Sequence, residues 1–399
     1  MRCFADASSH ALANRTLAET LLFDYTHAES DQQSFPHLTM TKHFGIIGCG
    51  MIAGFHAKAI QAAGGTLVAC FDTRAEAADK LAAQHQGCKP YYDLKAFLAD
   101  KNIDIVTIGT PSGAHLEPAL AAAEAGKHLI VEKPLEITLE RCNQIIAACK
   151  KNKVQLATIF HSRFHDSSLT LKSAIDTGRF GRLTLGDAIV KWYRTQAYYD
   201  SGAWRGTWEL DGGGALMNQA IHTIDLLTWL MGPIVEVTAH TALLAHERIE
   251  VEDTAVATLK FANGALGTIV GTTASYPGYL KRIEISGSKG SAILEEEDII
   301  RWEFEETVPS DAAVQEAMAN RKSGGGGAAD PAAINYAGHA KLFANMIAAI
   351  DGKEKLVVDG PEGCRSVEII LAIYKSAETG QAVKLPLGKD PELKARKKG

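Results

Sequence analysis

The chain has 399 residues, 46% hydrophobic and 22% charged, which is enough apolar mass for two domain cores. A net charge of -6 gives no nucleic-acid footprint, and no apolar run is long enough to span a bilayer. Seven cysteines, at 3, 49, 70, 88, 142, 149 and 364, form an odd, scattered set without CxxC spacing, so reduced thiols and a cytoplasmic setting are expected.

Residues 1–41 are polar, lack a sustained period and lack the basic start and hydrophobic block of a signal peptide. They read as a flexible extension, with Met40 as an alternative start. From His43 the pattern sharpens: His43-Phe-Gly-Ile-Ile-Gly-Cys-Gly50 is an apolar strand running into glycines, and a helix follows to Ile60. Gly48, Gly50 and Ala53 fit GxGxxG/A, where glycines permit a tight turn and let Gly48, Gly50, Met51 and Ile52 approach a pyrophosphate at the helix N-terminus. The next strand, Leu67 to Asp72, ends in an acid 18 residues after Gly54 that suits a ribose. Asp72 favours NAD by repelling a 2′-phosphate; Arg74 offers that phosphate a partner, so NADP stays open.

Strand and helix keep alternating, as a parallel sheet requires. Ala75 to Gln86 and Asp93 to Ala99 read as helices, and Ile103 to Gly109 as a buried strand. It runs into Thr110-Pro111-Ser112, with Ser112 a candidate helix cap and His115 read as a capping or packing histidine. His128-Leu-Ile-Val-Glu-Lys-Pro134 is the centre of the reading: a β-branched strand ends in Glu132 and Lys133, and Pro134 stops regular pairing. Lys133 therefore sits at a strand's carboxyl end, where open α/β sheets bind ligands. A helix to Lys151 and a strand, Val154 to Phe160, close a first domain over 42–161.

A second domain is expected over 162–387, with a basic tail at 388–399. The strand Leu183 to Tyr193 enters a loop that holds Tyr198, Tyr199, Trp204, Arg205, Trp208 and three consecutive glycines, a composition suited to a polyhydroxylated ligand. The helix that follows places Asn218, His222, Asp225 and Trp229 at i, i+4, i+7 and i+11 on one stripe, read as lining a cleft. Six antiparallel strands are predicted between Ile234 and Phe304, with Asn263-Gly264 a hairpin turn. Thr254 to Phe261 is apolar on both faces, which suggests a homo-oligomer formed through the outer face of the sheet. A glycine-rich loop at 322–329 and two helices, Ile334 to Ile350 and Glu362 to Thr379, complete the chain.

Over Lys42 to Leu387 the sequence resembles the glucose-fructose oxidoreductase, inositol dehydrogenase and rhizopine-catabolism (Gfo/Idh/MocA) superfamily. The resemblance rests on Gly-Cys-Gly-Met-Ile-Ala53, Thr110-Pro-Ser112, Glu132-Lys-Pro134, Asn218-Gln-Ala-Ile-His222 with Asp225, and Ser376-Ala-Glu-Thr-Gly380. It implies an α/β fold: an N-terminal Rossmann domain, then an α+β domain with an open, mainly antiparallel sheet. It also implies bound NAD or NADP and hydride transfer at a sugar or cyclitol carbon. By motif match Lys133 and His222 are the catalytic pair. Cofactor contacts are expected from Gly48, Gly50, Met51, Ile52, Asp72, Arg74, Thr110, Pro111, Ser112, His115, Glu132 and Lys133. Substrate contacts are expected from Arg163, Tyr193, Trp204, Arg205, Asn218 and His222.

The chemistry agrees with that pairing. A secondary alcohol that loses hydride must lose its hydroxyl proton too, and a neutral imidazole is a suitable base near neutral pH. Lys133 then orients the hydroxyl and stabilises charge developing on oxygen. Inositol dehydrogenases usually carry Asp where this chain has Asn218, which cannot relay a proton; the departure tilts the expected substrate toward a pyranose, a glycoside or nucleotide sugar. Two alternatives are a glycosidase that retains its cofactor through transient C3 oxidation and a non-catalytic sugar sensor. His161 and His165 lack the accompanying acid or cysteine set of a metal site, and none is expected.

Overall fold

The computed structural model describes residues 41–321 and 336–394. The extension expected over 1–41, apart from Thr41, lies outside the described residues, as do the loop at 322–329 and residues 395–399 of the tail.

Two sheets organise the rest. The first has six parallel strands: β1 (His43–Ile47), β2 (Thr66–Phe71), β3 (Lys89–Tyr91), β4 (Ile105–Ile108), β5 (His128–Val131) and β6 (Leu156–Thr158). Their order is β3-β2-β1-β4-β5-β6. A parallel sheet covered on both faces needs apolar side chains throughout, and every residue of β4 is buried. The crossovers are α1 (Met51–Ala62), α2 (Ala75–Gln84), α3 (Leu94–Ala99), α4 (Leu116–Glu124) and α5 (Leu139–Asn152). The order reverses between β1 and β4, so a crevice opens at their carboxyl ends.

Asp93 caps α3 by accepting from the Ala96 N–H, and Thr138 caps α5 by accepting from that of Arg141. Ser112 does not cap a helix. It opens a 3-10 turn, Ser112–Ala114, and α4 begins only at Leu116. The Gly113 N–H donates to Leu210 O, which ties this turn to the second half of the chain.

The second sheet joins β7 (Leu183–Lys191), β8 (Ile234–Ala242), β9 (Thr254–Phe261), β10 (Leu266–Thr272), β11 (Arg282–Gly287), β12 (Gly290–Glu295), β13 (Asp298–Phe304) and β14 (Val383–Lys384). The order is β13-β12-β11-β7-β10-β9-β8-β14, and only the β7–β10 pair is parallel among the described residues. Asn263-Gly264 makes the predicted turn between β9 and β10; Gly264 has φ +88, and Asn263 Oδ1 accepts from the Ala265 N–H. Around the sheet lie α6 (Asp166–Asp176), α7 (Gln196–Asp200), α8 (Ile221–Met231), α9 (Asp311–Ala319), α10 (Ala337–Ile350) and α11 (Gly360–Thr379).

One face of this sheet packs on α8 and α11. Leu185, Val256 and Leu266 lie exposed on the strands. The last two helices return to the first sheet: α10 packs on α1, and α11 on α5 and β6. A single apolar core therefore runs through both sheets.

Candidate active site

The strand β1 delivers the glycine turn to the crevice. Gly48 has φ +91, and a Cβ there would stand 2.8 Å from Gly109 O, so the close approach of two strand ends requires glycine. Gly50 caps α1 with no side-chain hydrogen bond, and a Cβ built on it would meet nothing within 4 Å. Met51 is exposed, while Ile52 is half-buried. At the end of β2, Asp72 accepts from the Cys49 N–H (2.9 Å) and the Arg74 N–H (2.9 Å). The Arg74 side chain is 70% exposed and stands 3.4 Å from Asp72, so it leans on the acid that opposes a 2′-phosphate. Uncapped first-turn amides, an open glycine and a buried ribose acid together fit a dinucleotide.

At the end of β5 the two charges of Glu132-Lys133 are partnered separately. Glu132 Oε1 is 2.9 Å from His56 Nε2, and its Oε2 accepts from the Lys133 N–H (3.1 Å). Burial raises the Glu132 carboxyl, but the His56 hydrogen bond and surrounding positive charge outweigh it and hold the group at about 2. Lys133 Nζ donates to Asn218 O (2.9 Å), joining the first sheet to the segment before α8. Burial lowers the lysine pKa, while Glu132 and Asp211 oppose the drop.

The three glycines act through close packing. A Cβ at Gly212, where φ is +77, would lie 2.3 Å from Ile137, and one at Gly214 would lie 1.7 Å from Glu252 O. Glu252 is buried and accepts from the N–H groups of Gly214 (3.0 Å) and Leu216 (2.9 Å) and from the Tyr374 hydroxyl (3.0 Å). Burial pushes its carboxyl up to about 7. The chain then makes a π turn, Ala215–Ala220, before α8 starts at Ile221. The regular helix predicted from 215 is therefore wider in its first turn, and the inferred stripe is broken.

That break decides which residues meet. Asn218 Nδ2 donates to Asp211 Oδ1 (2.5 Å), and Asn218 Oδ1 accepts from Gln219 Nε2 (2.8 Å). Gln219 and Arg205 both donate to the Tyr198 hydroxyl, at 3.0 and 2.6 Å, and the Arg205 guanidinium lies 4.2 Å from the Tyr198 ring centroid and 4.5 Å from that of Trp204. A polar chain thus runs Arg205–Tyr198–Gln219–Asn218–Asp211, with Lys133 bonded to its Asn218 carbonyl. Sequence reasoning missed Asp211. Its signal was an acid immediately before the glycine run, seven residues ahead of Asn218. Burial pushes Asp211 up to about 6, opposed by hydrogen bonds from the Gly206 N–H and Asn218.

His222 is half-buried, edge-on to Phe160 (ring centroids 5.7 Å) and His161 (4.5 Å). Burial, with Lys133 and Lys281 nearby, depresses its pKa well below the usual histidine value, so the ring is neutral at pH 7. Asp225 and Trp229 do not share its surroundings. Asp225 receives both nitrogens of a buried fork from Arg163, Nε at 2.8 Å and Nη2 at 2.6 Å, and Trp229 lies beside Arg163 and Lys172.

Several expected ligand contacts are otherwise engaged. Arg163 is fully buried, and its third nitrogen bonds Glu362 (2.9 Å), so its guanidinium ties α8 to α11. His115 is buried with Nδ1 2.9 Å from Pro134 O and Nε2 3.0 Å from Thr110 O, which makes it a brace between the Thr110 and Pro134 loops. Thr110 Oγ1 donates to Ala114 O, and Ser112 is buried in its turn. Pro111 precedes that turn, and Tyr193 is half-buried, edge-on to Tyr276 (5.3 Å). Among the described residues no group of three or more His, Cys, Asp or Glu could hold a metal ion, and no helix is long and apolar enough to cross a membrane.

A six-stranded parallel sheet whose order reverses at the crevice, a glycine turn backed by the buried Asp72 carboxylate, and Lys133 bonded to the segment that leads into His222 are an arrangement suited to a nicotinamide-dependent oxidoreductase. Comparison with known proteins agrees. Residues 42–160 match a family model described as oxidoreductase family, NAD-binding Rossmann fold, and residues 168–293 match the GFO/IDH/MocA C-terminal domain. The chain is 31% identical to the myo-inositol 2-dehydrogenase of Thermotoga maritima over 259 residues, 62% of this chain and 73% of that one. The crystal structure of the WlbA dehydrogenase of Bordetella pertussis in complex with NADH and UDP-GlcNAcA is 38% identical, with TM-score 0.79, covering 87% of this chain and 98% of that one. The WlbA dehydrogenase of Chromobacterium violaceum, with the same two ligands, is 36% identical, with TM-score 0.78 and coverages of 87% and 96%. The chain belongs to the GFO/IDH/MocA family and is an NAD-dependent oxidoreductase.

Proposed function

We propose that this enzyme uses NAD to oxidise a ring hydroxyl of an acidic pyranose carried on a nucleotide, of the UDP-GlcNAcA kind. The observation that carries the reading is the 38% identity, over 98% of its length, to a dehydrogenase whose complex contains that sugar. The wall of the crevice supports it: Arg205 is held over Tyr198 and Trp204 and bonded to a phenol, available to an anionic ligand in a way a neutral cyclitol has no use for.

Bound NAD supplies the hydride acceptor, held by Gly48, Gly50, the first turn of α1 and Asp72. His222, neutral at pH 7, takes the hydroxyl proton as the C–H bond breaks. Lys133 holds the same oxygen and stabilises the negative charge that grows on it. Asp211 counters the charge of Lys133 and fixes the Asn218 amide, so Asn218 orients the sugar without ionising. Glu132 and His56 keep the Lys133 backbone in place. We also propose that a second copy of the chain covers the sheet face bearing Leu185, Val256 and Leu266.

The test is a panel of UDP-GlcNAcA, UDP-GlcNAc, levoglucosan and myo-inositol with NAD or NADP, followed by absorbance of the reduced cofactor. The expected result is a signal with NAD and the acidic nucleotide sugar. Reduction by inositol alone overturns the substrate assignment. Cleavage of a glycosidic bond with no net reduced cofactor points to a glycosidase.

A further inference from the structure

A proton taken by His222 must leave before the next turnover, and the crevice in front is filled by substrate and cofactor; this argument rests on the function proposed above. His222 Nδ1 is buried without a hydrogen-bond partner among the described residues. Its ring is 4.5 Å from that of His161, which is 5.7 Å from that of His165, spacings that one proton hop or one bridging water spans. His161 Nδ1 and His165 Nε2 are likewise buried without a hydrogen-bond partner among the described residues. His165 Nε2 in turn stands 3.7 Å from Glu297 Oε1, on a side chain that is 40% exposed.

Alongside lies a cavity of about 10 Å³, lined by Ser162, His222, Thr223, Lys281 and Glu296 among others. The Ser162 and Thr223 hydroxyls are buried without hydrogen-bond partners among the described residues. Orphaned polar atoms around a space of one water are the mark of an ordered water. Both routes end on the same turn between β12 and β13. We infer that the Glu296–Glu297 turn is the proton outlet of His222, reached through His161 and His165 and through the water-sized cavity beside them.

The balance is simple. Oxidation breaks the C–H bond, whose electron pair passes to the nicotinamide, and the O–H bond, whose proton forms an N–H bond on His222. Along the relay each N–H bond breaks as the next forms, the last proton passes from carboxylate to bulk water, and nothing is oxidised or reduced. Burial holds His161 well below its usual pKa and His165 at about 4, with Lys281 and His339 adding to both, so neither ring retains the proton. The opposite direction is closed. His339 stacks on His161 at 4.3 Å, but beyond it His56 is bonded to Glu132, a buried carboxylate that already accepts from the Lys133 N–H. Gly338 shapes the route, since a Cβ there would lie 2.7 Å from His165 Nε2.

The experiment compares wild type with His165→Gln and, because a buried change can upset folding, with the surface change Glu297→Gln. Turnover is measured in dilute buffer and with added imidazole, single-turnover hydride transfer separately, and exchange of the His222 ring proton by 15N-imidazole NMR in the resting protein. The outlet requires turnover to fall about ten-fold in dilute buffer and to return saturably with imidazole. It also requires unchanged single-turnover transfer and slower exchange at His222. Unchanged turnover and exchange, or a loss that imidazole does not restore, overturns the outlet alone. A wild type that reduces NAD with no member of the panel overturns the function and the outlet together.

Discussion

Replacing Arg163 by methionine tests whether this residue braces the site or touches the ligand. Its guanidinium makes three short bonds, to both oxygens of Asp225 (2.8 and 2.6 Å) and to Glu362 (2.9 Å), and the Arg163 and Asp225 side chains are 2% and 1% exposed. Even with the arginine in place, burial raises the Asp225 pKa, so the carboxylate relies on that partner. Removing one member of such a pair strands the other charge and costs about 3–5 kcal/mol. That is a large part of the 5–15 kcal/mol (roughly) that holds a domain together. Urea denaturation followed by circular dichroism measures the loss, and adding Asp225→Leu to Arg163→Met restores most of it. KM for the sugar stays near the wild-type value in whatever folded fraction remains. A loss of under about 1 kcal/mol with a raised KM refutes the reasoning and returns Arg163 to the substrate.

His222→Ala and Lys133→Met each lower kcat by roughly 10²–10⁴-fold while NADH binding, read by fluorescence, persists. Asp211 ionises at about 6 in the folded protein, so activity that needs its charge rises as pH passes upward through 6, and Asp211→Asn abolishes that limb. The folded pKa lies above the ordinary aspartate value of 3.8, so the native state binds the proton more tightly; between those two values the wild type loses stability with rising pH and the asparagine variant does not, as urea melts at several pH values will show. Asp72→Ala removes the ribose acceptor and weakens NAD binding by about ten-fold or more, measured by calorimetry. Leu266→Lys, on the exposed sheet face, lowers the mass seen by light scattering to that of a monomer; an unchanged mass means that another surface, or none, joins the copies.

Five of the six strands of the first sheet were legible in the sequence, because parallel strands buried on both faces must be continuous apolar runs; the short edge strand Lys89–Tyr91 is not buried and was missed. The glycine turn, Asp72 and Lys133 were legible for the same reason: strand ends in such a sheet converge on one crevice. Polar partners were less legible. Nothing local distinguishes Arg163 as a buried brace, since its partners Asp225 and Glu362 lie 62 and 199 residues away. His115 looked equally suited to a ligand or a brace until both ring nitrogens met backbone carbonyls. The π turn at Ala215–Ala220 took Asn218 out of a stripe drawn on regular helical spacing, while Asp225, three residues from His222 on the regular helix, is turned to the buried Arg163 fork. Asp211 was hidden by its position in a loop, where no period ties it to Asn218. The histidine row behind His222 draws on the 161–164 turn, α8 and α10, and only folding brings those together.

The most direct measurement follows the hydride itself. UDP-GlcNAcA deuterated at each ring carbon in turn is mixed with the enzyme and NAD, and the reduced nicotinamide is weighed by mass spectrometry. The account requires deuterium from one ring carbon to appear in the cofactor with wild type, and to be lost with His222→Ala or Lys133→Met. Reduced cofactor without deuterium from any ring position, or none at all while NAD is demonstrably bound, contradicts it.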